Sequence, residues 1–178
     1  KHGMESKLPI TLQLTNKFIR FLGLYVAEGH PEKTQLGLTF GKHEDNLINE
    51  VINFCKTFGL GFTIEPREWS IRVKIFNNCF VKLIRNICGK GAHNKRIPEF
   101  VFRTSLDMRQ HFIDAYCQGD GHKTKDRNAL SFSTTSKKLA IDLRYLFLMQ
   151  GITTASYEIN QIGITKKPSL SYVVYLNG

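Results

Sequence analysis

Two carboxylates stand in matched surroundings, each at the end of an apolar stretch and each followed by glycine and histidine: Glu28-Gly29-His30 and Asp120-Gly121-His122. They lie 92 residues apart (120 − 28 = 92), and the sequence beyond them repeats at the same offset. Leu38 and Phe40 correspond to Leu130 and Phe132, Leu47 and Val51 to Leu139 and Leu143, and Gly59-Leu60 to Gly151-Ile152. An acid in the last turn of a helix faces the negative end of the macrodipole, at a cost of about 0.3–1 kcal/mol. One such acid is an ordinary solvated helix end, but two in shared register ask for a compensating cation. Hard oxygen ligands from Glu28 and Asp120, with the helix-end carbonyls of Ala27 and Gly119 beside them, suit Mg²⁺. Gly29 and Gly121 let the chain turn away after each acid and keep side-chain bulk from the ion.

Two helices must position these acids. The first is expected from the capping residue Thr15 through Phe18, Phe21, Leu22, Leu24, Tyr25 and Val26 to Glu28, apolar nearly all round and so central in the molecule. The second starts near Ser105, with Asp107 complementing its N-terminus, and runs through Phe112, Ile113 and Tyr116 to Asp120. Both carry small residues four apart at equivalent positions, Gly23 with Ala27 and Ala115 with Gly119. Small faces let helices approach closely, and if these two faces meet, the acids come together at one end of the pair. The repeat thus predicts one αβ unit used twice, in a pseudo-two-fold body.

The remaining elements follow from periodicity. Leu36, Leu38 and Phe40 alternate as a half-buried strand, a helix over Leu47 to Phe58 ends at Gly59, and strands follow at 62–67 and 70–76. In the last of these Ile71, Val73 and Ile75 share one face and Arg72 and Lys74 the other, so one side of the sheet is core and the other basic. An amphipathic helix over Cys79 to Cys88 leads into the connector GKGAHNKRIPEF. The second unit repeats the plan with a strand at 129–134, a helix at 136–150 and strands near 153–160 and 171–177. Matching Val73–Asn77 to Val173–Asn177 gives its last hairpin roughly eight extra residues, and no helix follows it.

Composition narrows the class. The 178 residues suffice for one domain or two tightly joined halves, and 42% hydrophobic content excludes a disordered chain. Twenty-five Lys and Arg against fifteen Asp and Glu give a net charge of +10, which favours a polyanion, most simply nucleic acid. No apolar run approaches the length of a bilayer span and no leader pattern is present, so a cytoplasmic, nucleoid-associated location is expected. Cys55, Cys79, Cys88 and Cys117 lack metal-like spacing and read as reduced thiols. A first residue other than Met suggests a piece cut from a longer polypeptide.

The motif pair resembles that of the LAGLIDADG homing endonucleases, in particular the single-chain type found inside archaeal inteins. The nine-residue motif aligns as Phe21 to Gly29 and Ile113 to Gly121, with the acidic position on Glu28 and Asp120 and the small packing position on Gly23 and Ala115. LGLYVAEG matches well, whereas IDAYCQGDG departs at its leading letters and keeps the final GDG. Lys95, in the tetrapeptide KRIP, matches a K-x-I-P element that supplies a basic active-site residue in intein members.

The resemblance covers almost the whole chain and implies an α+β fold. Two αββαββα repeats place the motif helices at the pseudo-two-fold axis and form a saddle of antiparallel sheets over duplex DNA. On this reading residues 1–178 form one endonuclease domain, monomeric, with a first repeat and connector at 12–100 and a second repeat at 104–178. The implied activity is Mg²⁺-dependent hydrolysis of one phosphodiester in each strand at a long target site, leaving short 3′ overhangs. Glu28, Asp120 and Lys95 are its catalytic residues, with Glu28, Asp120, Ala27 and Gly119 about the metal. DNA contacts are expected from Lys33, Lys42, Arg67, Arg72, Lys74, Lys123, Lys125, Arg127, Lys166 and Lys167, and any one of these has the alternative of a solvated charge. Lys95 has the alternative of a phosphate-positioning or solvated lysine. Protein splicing is not expected, since the chain starts at Lys1 and ends in Leu176-Asn177-Gly178 without a His-Asn pair. The competing readings are a non-cleaving DNA-binding regulator or RNA maturase of the same fold, and an unrelated basic αβ protein.

Overall fold

The structure is a computed structural model and describes residue 8 and residues 11–123, 130–162 and 168–176. The first half runs α1 (Asn16–Glu28), β1 (Gly29–Pro31), β2 (Gln35–Gly41), α2 (Asp45–Thr57), β3 (Gly61–Pro66), β4 (Ser70–Phe76) and α3 (Asn78–Cys88). Two short 3₁₀ turns, Ala92–Asn94 and Glu99–Arg103, connect it to the second half. That half comprises α4 (Leu106–Asp120), β5 (His122–Lys123), β6 (Leu130–Thr134), α5 (Lys137–Leu148), β7 (Thr154–Ile162) and β8 (Pro168–Leu176). Each half forms a four-stranded antiparallel sheet with the same strand plan, β1-β2-β4-β3 and β5-β6-β8-β7.

Local chemistry sets the helix ends. Thr15 Oγ1 accepts from Phe18 N (3.3 Å) and Ser105 Oγ from Met108 N (3.3 Å), each satisfying an N–H that has no partner within its helix. Gly59 and Gly151, with φ of +61° and +77°, close α2 and α5 in the left-handed region that favours glycine. Both motif helices lie in the interior. Phe18, Ile19, Phe21, Leu22, Leu24, Tyr25 and Val26 of α1 are all buried, and Phe21 stacks on Phe54 at 4.0 Å with Phe80 against both rings. In the second half Phe132 lies between the Tyr116 and Phe147 rings, at 5.2 and 5.7 Å.

Three local features differ from the sequence reading. Directly after each acid the chain enters a short strand, β1 or β5, with Gly29 and Gly121 extended at φ −79° and −74°. Turn geometry therefore does not explain those glycines. Space does, because a Cβ at either would stand 2.3 Å from a carbonyl oxygen of the helix just left, Tyr25 or Cys117.

The last hairpin has a different register. Phe40 pairs with Ile71, while Phe132, its counterpart, pairs with Val174. Ile71 thus corresponds to Val174 at an offset of 103 (174 − 71 = 103), and the second hairpin carries eleven extra residues (103 − 92 = 11) instead of about eight. Matching Val73 to Val173 slips the register by three, and an odd slip exchanges the faces of a strand. Val73 is in the core, whereas Val173 shares the opposite face with Tyr157.

The basic face of the first sheet is also a network of pairs. Arg72 contacts Glu32 and His30, and Lys74 and Arg67 reach Glu65 at 2.8 and 3.7 Å. Among the described residues no helix is long and apolar enough to cross a membrane.

Candidate active site

The interface of α1 with α4 is built on absent side chains. A Cβ at Gly23 would lie 2.5 Å from the Phe112 carbonyl oxygen and 2.9 Å from the Ala115 Cβ. One at Gly119 would lie 2.7 Å from the Ala27 Cβ and 3.3 Å from the Glu28 Cγ. The small residues therefore interlock in two layers, Gly23 on Ala115 and Ala27 on Gly119, and the second layer delivers Glu28 beside Asp120. Arg20 on α1 braces the arrangement, donating to Glu50 of α2 at 2.6 and 2.8 Å and to Gln118 of α4 at 2.9 Å.

Both acids are half-buried, and the partial loss of water shifts their protonation. Burial, then the facing charges of Asp120 and Glu44, push the Glu28 carboxyl up to about 7 against the pull of Lys95. Burial also raises the Asp120 carboxyl, held down in part by the Tyr116 hydroxyl, which donates to its Oδ2 at 2.8 Å, and by Lys95. The two positions are thus chemically unequal: the residue of α1 that matches Tyr116 is Leu24 (116 − 92 = 24), which has no hydroxyl to offer.

Lys95 reaches the same place from the connector. Its Nζ donates to the carbonyl oxygens of Val26 (2.8 Å) and Ala27 (3.0 Å), so the chain itself supplies a cation to the negative end of α1. Burial lowers its pKa while Asp120 and Glu28 oppose the shift. The Ala27 carbonyl, expected beside the metal, is therefore turned to an ammonium. The cap of α5 and one residue within it hold the lysine's backbone in place: Ser136 Oγ donates to the Lys95 carbonyl (2.6 Å), and buried Asp142 accepts from Ile97 N (3.2 Å) and from Lys138.

The expected DNA contacts divide. Lys33, Lys42 and Arg67 are exposed, Lys74 is half-buried against Glu65, and Arg72 is buried against Glu32 and His30. Lys125, Arg127, Lys166 and Lys167 lie outside the described residues, and of Lys123 only the backbone in β5 is described.

Sequence reasoning missed Tyr116, Ser136, Asp142 and the carboxylates Glu32 and Glu65. A signal existed for Asp142, an acid within the apolar stripe of Leu139, Leu143 and Leu146 on a predicted helix. None existed for Tyr116, which reads as one more apolar residue of the motif.

Two helices meeting through small residues, each ending in an acid and each leading into a four-stranded antiparallel sheet, match solved structures over nearly their full length. The fold is that of the LAGLIDADG homing endonucleases. The homing endonuclease I-DmoI in complex with DNA and Mn superposes with a TM-score of 0.65 at 12% identity, covering 93% of this chain and 91% of that one. The N-terminal LAGLIDADG domain of DUF199/WhiA gives 0.63 at 12% identity, over 97% of this chain and 81% of that one. Residues 107–177 match the LAGLIDADG-like domain family. An uncharacterized protein of Methanocaldococcus jannaschii, MJ1054, is 27% identical over 98% of this chain and 21% of its own length. The chain spans about a fifth or less of the length of the curated relatives it matches. These also include a transcription initiation factor IIB of the same organism and a SufBD family protein of Mycobacterium tuberculosis.

Proposed function

We propose that this chain is a site-specific double-strand DNA endonuclease whose active site is the acid pair at the end of the α1 and α4 helices. The observation that carries the reading is the convergence of Glu28, Asp120 and the Lys95 ammonium at one end of the helix pair. A structural helix end has no use for two half-buried carboxylates side by side.

The residues fit a divalent cation. Both carboxyls bind protons more tightly than usual even with the Lys95 ammonium nearby, and together with the Gly119 carbonyl they offer hard oxygen donors. Among the described residues no third acid, His or Cys joins them, in keeping with an ion such as Mg²⁺ that retains several waters and takes substrate phosphates as ligands. When bound, such an ion polarises the scissile phosphate and lowers the pKa of the attacking water. The protein's own part is positional and electrostatic. Interlocked glycines and alanines fix the spacing of the acids, Tyr116 orients Asp120, and Lys95 places a positive charge where the phosphoryl group gains negative charge as water adds. In the hydrolysis a water oxygen bonds to phosphorus, the phosphorus–sugar oxygen bond breaks, and the departing oxygen takes a proton.

The sheets supply the DNA surface, with Lys33 and Lys42 exposed to meet phosphates and Arg67, Lys74 and Arg72 to act from their carboxylate partners. That I-DmoI was solved with DNA and Mn supports both the partner and the use of a divalent ion. Matching segments within proteins as different as a transcription factor and a SufBD family protein support an intein-borne origin. On this reading the whole chain acts as one monomeric domain with internal pseudo-symmetry.

The test is plasmid cleavage with a randomised insert library, in Mg²⁺ and in EDTA. A discrete linear product only in Mg²⁺, lost in Glu28→Gln and in Asp120→Asn with duplex binding retained, is the expected result. Duplex binding without cutting at any selected site would instead make the chain a non-cleaving DNA-binding protein of this fold.

A further inference from the structure

The open faces of the two sheets are built from different chemistry at matching positions. Across the first sheet one row reads Thr39, Arg72, Glu65 on β2, β4 and β3. The corresponding row of the second, set by Ser131 at the usual offset (131 − 39 = 92), reads Ser131, Tyr175, Ala155 on β6, β8 and β7. An arginine facing a glutamate is replaced by a tyrosine facing an alanine. The next row reads Ser133, Val173, Tyr157, and Ile159 follows on the same face. None of these open-face residues is Lys, Arg, Asp or Glu, on a chain with a net charge of +10.

The apolar character is concentrated in a tyrosine pair. The rings of Tyr157 and Tyr175 stack at 5.2 Å with 25° between planes, and their hydroxyls bond to each other. Each hydroxyl thus has a partner within the pair, while Tyr157 remains 46% exposed. What this face offers a ligand is therefore aromatic and aliphatic surface beside the exposed Ser133, since the Ser131 hydroxyl is buried and donates to the His122 carbonyl oxygen. In the major groove of duplex DNA the base edges display donors, acceptors and a single apolar group, the thymine methyl.

We infer that the second sheet selects its half of the DNA target by thymine methyl contacts to Tyr157, Tyr175 and Ala155, and so prefers A·T pairs there. The first sheet, with Arg72 and Lys74 on its open face, reads its half through charge-assisted hydrogen bonds instead. This rests on the duplex-DNA reading above and goes beyond it in naming what one half of the site must contain.

The test uses duplexes selected from a random library by the Glu28→Gln protein, expected to bind without cutting. Uracil then replaces thymine in one half of the selected duplex at a time, removing only methyl groups. Affinity is expected to fall about fourfold for each contacted methyl in one half and to hold within about twofold in the other. In the double variant Tyr157→Ser with Tyr175→Ser the loss is expected to shrink to at most the share of Ala155, with affinity for the uracil-containing duplex unchanged, which also shows that the variant is folded. Equal affinity for thymine and uracil duplexes, or an undiminished methyl effect in the double variant, would overturn the inference while leaving DNA binding intact. Preference for single strands over every duplex would overturn it too, assigning the tyrosines to stacking on unpaired bases. Failure to bind any nucleic acid would remove the duplex-DNA reading along with it.

Discussion

The Lys95 ammonium sits 2.8 Å from the Val26 carbonyl oxygen, joining a residue of the connector to the last turn of a helix 69 positions earlier in the chain. Removing the charge separates structure from chemistry. In Lys95→Met the lost hydrogen bonds are offset by no longer burying an ammonium, so stability is expected to change by less than about 1 kcal/mol. Cleavage is expected to fall at least about a hundredfold, the usual scale for losing a preorganised charge at a reacting phosphate. Urea unfolding and single-turnover cleavage measure the two effects.

Close helix approach has its own test. Gly23→Val places a side chain against the Phe112 carbonyl and Ala115 Cβ, where the first contact is backbone and cannot swing away. The expected cost is about 1–3 kcal/mol, with cleavage lost at temperatures where the variant is still folded because the acids are moved apart. Wild-type cutting by a folded Gly23→Val protein would show that the helix spacing does not set the site.

Asp142 ties α5 to the connector. Alanine there leaves the buried Ile97 N–H without its acceptor and is expected to cost about 2–3 kcal/mol, while asparagine keeps an acceptor and costs less. Both variants loosen the backbone that carries Lys95, so cleavage should fall further than stability accounts for. Comparing rates well below each melting temperature makes that distinction.

The raised Glu28 carboxyl predicts how stability depends on pH in EDTA. Between its ordinary value of 4.5 and about 7 the folded chain holds a proton there that the unfolded chain has released. Stability therefore falls as pH rises through that window and levels off above it, by an amount on the order of 2 kcal/mol. Glu28→Gln is expected to flatten this slope and to be the more stable protein at pH 8. The same proton competes with the cation, so Mg²⁺ affinity should increase from pH 6 to pH 7.5, with protons released on binding, and calorimetry in two buffers reads both.

Much of the candidate site was legible in one dimension because its signals are local or periodic. Thr15 and Ser105 marked the starts of the motif helices through capping chemistry, the alternation of Leu36, Leu38 and Phe40 marked a strand, and the 92-residue repeat paired Glu28 with Asp120. Small residues four apart located the contact face, since only side-chain size decides how near two helices come. What only tertiary structure decided depends on partners distant in the chain. Arg72 read as a free basic residue, yet folding buries it against Glu32 and His30, which periodicity cannot show because it carries no information on what lies across a sheet. Tyr116 became a partner of Asp120 only once helical geometry and burial left its hydroxyl no water to bond. The last hairpin was misaligned by three residues because Val73 and Val173 are alike as letters, whereas register is fixed by which face meets the core. Sequence determined which groups exist and how they recur; packing decided which of them stand together, because burial and charge pairing are properties of neighbours in space.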